Sequence, residues 1–147
     1  MDYQVGQTGR VVVARLFEGE DVYACIEEIA KKEEIHSAAV LLTGGIRKGG
    51  LVIGPSQEQP KIVPDSRPFQ GPGEVVGAGT LYWDDQGPKL HLHVGLSSES
   101  GGLVGCLRGE VTTFLILEVT IIEITGIQAA RRRLDPTTGF KLLDLTE

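Results

Sequence analysis

Apolar residues in this chain come in short β-branched runs punctuated by glycine and proline, and only once do they take helical spacing. Residues 10–17 read RVVVARLF. That run is rich in β-branched side chains and predicts a buried strand. After Gly19-Glu20-Asp21 the period changes. Val22, Cys25, Ile26, Ile29 and Ala30 recur at helical spacing, with Glu27, Glu28, Lys31, Lys32 and Glu33 on the other side. This predicts an amphipathic helix over 21–34 with Asp21 as its N-cap and Cys25 as a structural thiol on the buried face. Residues 37–46 predict a second strand containing Gly44-Gly45. Gly49 and Gly50 separate it from a short strand at 51–54. The proline-rich stretch 55–73 is expected to be a long loop around a short strand at 61–63.

The pattern then becomes strongly strand-like. Residues 74–83 (EVVGAGTLYW) and 89–96 (KLHLHVGL) flank the turn cluster Asp84-Asp85-Gln86-Gly87-Pro88. Together they predict a β-hairpin. A polar loop is expected at 97–102 and a short helix or turn at 103–108. Residues 110–124 form a long strand interrupted by Glu118 and Glu123, and a short strand at 140–145 closes the chain. One clear helix among six to eight strands defines an α+β fold, a single compact domain over 1–147 with its core in about 8–145 and a mainly antiparallel sheet.

Composition adds little to this picture except in two places. Twenty of the 147 residues are glycine, which implies tight turns and close backbone approaches. The formal net charge of −6 argues against a protein that coats nucleic acid by charge alone. The two cysteines, Cys25 and Cys106, imply no disulfide framework. No basic-then-apolar leader opens the chain and no apolar run reaches the length of a membrane span, so a cytoplasmic protein without membrane association is expected.

The sharpest chemical signal is His91-Leu92-His93. Two of the three histidines of the chain stand two residues apart on a predicted strand, so both imidazoles leave the same face while Leu90, Leu92 and Val94 face a core. Cys106 follows after a loop long enough to fold back. A His, His, Cys set with a further position open suits zinc or another divalent transition metal better than magnesium or calcium. The residues alone equally allow two histidines lining a sheet face with Cys106 as core filler. Glu118, alone inside an apolar strand, is a candidate to orient an imidazole, to carry protons or to pair with Arg15, and equally an outward-facing glutamate. Glu20 is a second acidic candidate. His36, at a helix-to-strand junction, is not expected to be a ligand. Arg131, Arg132 and Arg133 could touch phosphate or a nucleic-acid backbone, though a short basic run is more often a solvated or salt-bridged face. No phosphate-binding glycine fingerprint and no Ser-His-Asp arrangement is present.

Several pieces of the chain together resemble the plants and prokaryotes conserved domain. They are Arg15-Leu16, Gly19-Glu20-Asp21, residues 38–46 with their glycine pair, Gly73-Glu74-Val75-Val76, Gly87-Pro88-Lys89-Leu90-His91-Leu92-His93, Gly105-Cys106-Leu107, Glu118-Val119, and Arg133-Leu134-Asp135 through Gly139-Phe140. The resemblance runs over about residues 8–145. It implies a highly bent antiparallel sheet, assembly as a homotrimer, and kinship of fold with acetolactate decarboxylase, a zinc enzyme. It also implies that His91 and His93 are metal ligands. Many members carry histidine where this chain has Cys106, and cysteine is a competent zinc donor. The plant members place an AT-hook before the domain; this chain has none, so direct DNA binding is not expected. Two functions follow as expectations: a homotrimeric zinc-binding protein grouped with DNA-binding regulators by kinship, or a zinc-dependent lyase or hydrolase acting on a small polar substrate. A purely structural interaction protein without metal is the third.

Overall fold

The computed structural model describes residues 1–99 and 101–146; the expected loop at 97–102 and the expected domain span 1–147 each include a position, Ser100 and Glu147, outside the described residues. The elements in order are β1 (Gln7–Phe17), α1 (Val22–Lys32), β2 (Ser37–Gln57), β3 (Val63–Asp84), β4 (Gly87–Ser98), β5 (Gly101–Thr125), β6 (Arg131–Leu134) and β7 (Lys141–Asp144). The sheet runs β1-β5-β2-β3-β6-β7, and β4 bridges β3 to β5. Antiparallel pairings β2–β3, β3–β4, β4–β5 and β5–β2 therefore close a ring. The strands are long enough to serve two neighbours in succession. Residues Gly101–Cys106 of β5 pair with β4, and its distal half pairs with β1 and β2. This is the strongly bent, mainly antiparallel α+β domain that the hydrophobic pattern and the resemblance together anticipate.

Helix α1 starts where its cap lies: the Asp21 carboxylate accepts a hydrogen bond from the Ala24 N–H at 2.8 Å, and Lys31 and Lys32 occupy the last turn, favourable to the helix dipole. Val22, Ile26 and Ala30 are fully buried. They pack into the mouth of the bent sheet among Leu16, Val40, Leu42, Leu92, Leu107, Leu117 and Ile121. Cys25 is only half-buried.

Four expectations need correction. The strand at 10–17 is an edge strand rather than a buried one: Leu16 is buried, but Val11, Val13 and Phe17 are 57%, 79% and 52% exposed. The stretch 55–73 is not a loop, since β2 and β3 form one long hairpin with only residues 58–62 between them. Pro64 and Pro68 fit inside β3 because β4 joins only from Glu74 onward. Before that point β3 has β2 alone as neighbour, and the N–H groups that proline lacks would face outward. Residues 103–108 are strand, not helix or turn. Finally, Gly49 and Gly50 do not separate two strands: β2 runs through them from Ser37 to Gln57, with Gly44-Gly45 inside it. The register with β5 jumps from Leu117 to Phe114 at this pair. A Cβ would lie 2.5 Å from the Ile116 carbonyl oxygen at Gly44 and 2.4 Å from that of Phe114 at Gly45, so only glycine lets β5 bulge against β2 here.

Candidate metal centre

Strand β4 alternates cleanly. Leu90, Leu92, Val94 and Leu96 are 6% exposed or less, so Lys89, His91 and His93 leave the other face, as the period of two requires. Gly79 of β3 lies opposite Leu92. A Cβ there would come within 2.1 Å of the His91 carbonyl oxygen, so this glycine permits the close approach that seats the histidine strand. On the other side, His93 pairs with Cys106 of β5. Beyond that pair β4 and β5 diverge, and α1 fills the gap. The Leu90 N–H donates to Glu27 Oε1 at 3.0 Å, and the Tyr23 hydroxyl donates to the Leu107 carbonyl at 2.6 Å. The helix thus satisfies backbone groups that a continuous sheet would have paired.

At this split three donors meet. His91 Nε2 lies 3.0 Å from Cys106 Sγ and 3.2 Å from His93 Nε2, and all donor atoms fall within 4.8 Å of one another. Tetrahedral zinc with ordinary bond lengths separates two nitrogens by about 3.3 Å and a nitrogen from a sulfur by about 3.6 Å. The set fits such an ion with a small rotation of the exposed His93 ring. Burial first, then the guanidinium groups of Arg108 and Arg132 and the neighbouring His93, push the His91 imidazole down to about 4, so it is neutral and metal-competent at pH 7. Burial raises the Cys106 thiol while the same two arginines oppose that shift; a bound cation would deprotonate it.

The other candidates go elsewhere. Glu118 sits on the exposed face of β5, opposite Arg15 of β1 and Thr43 of β2. Register carries Thr43 to Val76 of β3 and Val76 to Gly95 of β4, so Glu118 is three strands, or about 14 Å, from the histidine strand by that route. It is not part of the triad, and an outward-facing strand glutamate is the reading that fits. The Glu20 carboxylate accepts from the Phe17 N–H at 2.8 Å and closes the β1–α1 turn. His36 stacks on Trp83, ring centroids 4.4 Å apart.

The arginine run is divided by strand alternation. Arg133 pairs with Asp144 at 2.8 Å and Arg131 is exposed. Arg132 turns inward, donates to Thr80 Oγ1 at 2.8 Å and lies 5.4 Å from the centre of the Tyr82 ring. The run therefore forms no continuous basic surface. Arg108, which the sequence pattern did not single out, lines a cavity of about 200 Å³ together with His91 and Arg132. Its only sequence signal was its position two residues after Cys106, on the same strand face.

Comparison with known proteins bears on this geometry. A metal-containing protein from Archaeoglobus fulgidus superposes with a TM-score of 0.83 at 26% identity, covering 97% of this chain and 99% of that one. A plant- and prokaryote-conserved protein from Pyrococcus horikoshii gives 0.82 at 26% identity, covering 98% and 97%. A protein described as a DNA-binding candidate from Ralstonia eutropha shares the fold, with a TM-score of 0.74 at 20% identity over 91% and 90%. No curated protein matches the chain. The sequence profile of the Plants and Prokaryotes Conserved (PCC) domain matches residues 3–125, which include every strand of the closed ring and all three donors, and the chain belongs to that family.

Proposed function

We propose that this domain is a homotrimeric metal-binding module that holds a divalent transition metal, zinc by preference, through His91, His93 and Cys106. The observation that carries the reading is the convergence of two imidazoles and a thiol from two strands on one point. Two nitrogens and one sulfur suit a borderline-soft ion. The metal-containing relative from Archaeoglobus fulgidus, 26% identical over nearly the full length, supports it. Elemental analysis of tag-free protein tests the proposal. One equivalent of transition metal per chain is expected, falling below a tenth of that in His91→Ala. Unchanged metal content in the variant sinks the assignment.

The trimer is supported by the outer face of the sheet. Val13, Leu41 and Val76, on β1, β2 and β3, are 79%, 48% and 67% exposed, and exposed apolar side chains of that kind favour association. A cytoplasmic setting fits a buried free thiol at the site, and no helix is long and apolar enough to cross a membrane. DNA binding is not part of the proposal, because the net charge is −6 and the arginine run is split between faces.

A second reading, a zinc-dependent lyase or hydrolase on a small polar substrate, is favoured by one feature. Among the described residues the donor group has three members, which leaves a coordination position for water or substrate. Turnover in that case requires the metal, and neither Glu118 nor Glu20 would supply the proton carrier.

A further inference from the structure

The cavity beside the triad has an unusual charge. Lys89, Arg108, Arg132 and Lys141 line its wall next to His91. Lys141 is neutralised by Asp84. Among the described residues, neither Arg108 nor Arg132 has a carboxylate within ion-pair distance. Both guanidinium groups line the same cavity as His91. Arg132 is half-buried, and Arg108 is exposed at the cavity's edge. Positive charges gathered in a concave, partly desolvated place without counter-charge raise the energy of the empty protein and create a potential that an anion relieves.

The placement of Arg132 looks prepared. One nitrogen is held by Thr80 and the guanidinium lies against Tyr82, which fixes its plane at the cavity wall. Planar guanidinium forks match carboxylate and phosphate oxygens in pairs. The opposite wall comes from β5 through Arg108, two residues beyond Cys106. Arg132, Phe140 and Lys141 come from the β6–β7 hairpin, which lies beyond the matched span 3–125.

We propose that Arg108 and Arg132 form a binding site for a small oxyanion, a carboxylate or phosphate group, seated beside His91 so that the remainder of the ligand faces the His91–His93–Cys106 centre. The site rests on the metal reading only for what the far end of the ligand meets; the guanidinium pair stands without it. A volume of about 200 Å³ admits a group of a few heavy atoms.

The test is calorimetric titration of inorganic phosphate and, separately, of malonate into metal-free and zinc-loaded protein, with zinc content measured on the same samples. Saturable binding of at least one of the two anions to the metal-free protein is expected; whichever binds tighter identifies the oxyanion class. Arg108→Gln and Arg132→Gln each weaken it by about tenfold or more, as loss of one partner of a partly desolvated charged contact does. Arg132→Lys, which keeps the charge and loses the fork, falls between. Arg131→Gln, on the other face of β6, leaves affinity unchanged. Circular dichroism and the melting temperature establish that each variant is folded. Absence of saturable binding, or equal affinity in wild type, Arg108→Gln and Arg132→Gln, overturns the proposal. Zinc uptake with no anion binding refutes this site and spares the metal centre; anion binding with no zinc uptake does the reverse.

Discussion

At the scale of single residues, the site depends on which side of a strand each donor leaves. His91 and His93 share a face because they are two apart. Cys106 meets them because it pairs with His93 across β4 and β5. Cys106→Ser keeps the size of the side chain but exchanges a thiolate for a poor zinc donor. Zinc affinity, measured by competition with a chromogenic chelator, is expected to fall by about a hundredfold or more. Cys106→His, which restores an imidazole, is expected to recover most of it. Glu123 provides a pH-dependent contribution elsewhere. Two hydrogen bonds from the Arg10 guanidinium and one from its backbone N–H hold its carboxyl at about 2, down from 4.5. The depressed folded-state value means that Glu123 stabilises the fold above pH 4.5, and that this contribution is lost as pH falls from there toward 2. Glu123→Gln is expected to be less stable than wild type at pH 7, with the difference shrinking between pH 4.5 and 2. Urea denaturation across that range checks it.

At the scale of elements, α1 is the part that keeps the split between β4 and β5 intact. The Glu27 side chain accepts the Leu90 N–H one residue before His91, and without it a partly buried donor has no partner. Glu27→Ala is expected to lower unfolding free energy by about 1–3 kcal/mol. Glu28→Ala, which removes an exposed ion pair with Lys32, is expected to change it by less than about 0.5 kcal/mol. Denaturant titration of both variants separates the two. If they lose equal stability, the bond to Leu90 is not what holds the strand. The long β2–β3 hairpin plays a different role. Its inner half belongs to the closed ring, whereas its proline-bearing outer arm has β2 and β5 beneath it and an open edge on the other side. Prolines on that edge also guard it against unwanted strand pairing.

At the scale of the molecule, the bent sheet leaves an outer face that α1 does not cover. Register runs from His93 to Ala78, Leu41, Thr120 and Val13 in a single row across β4, β3, β2, β5 and β1. The histidine pair therefore stands at one end of the same apolar face that the trimer proposal would bury. Leu41→Glu, at a position 48% exposed, is expected to leave the monomer's fold stable to within about 0.5 kcal/mol while dissociating the trimer, because it places an unpaired charge in a dry interface. Size-exclusion chromatography with light scattering reads the outcome. A variant of unchanged mass would show that copies meet through another surface.

The sequence by itself determined the helix with its Asp21 cap, the β3–β4 hairpin with its turn at Asp85-Gln86, the class of fold and the pairing of His91 with His93, because each follows from a local period or a local turn. Cys106 was legible as a donor only through its residue type and a permissive loop. Tertiary structure decided the rest. Whether Val11 and Val13 are buried depends on what lies beside β1, and a run of valines reads the same at an edge as in the centre of a sheet. Prolines at 64 and 68 signal a loop unless a neighbouring strand is absent on one side, which no local pattern reveals. Glu118 looked costly inside its strand until the register showed it facing outward. Arg108 and Arg132 lie 24 positions apart and on different strands. Only the closing of the β-ring and the return of the β6–β7 hairpin bring them to the same cavity, because their proximity depends on contacts between distant elements and leaves no trace in the order of residues.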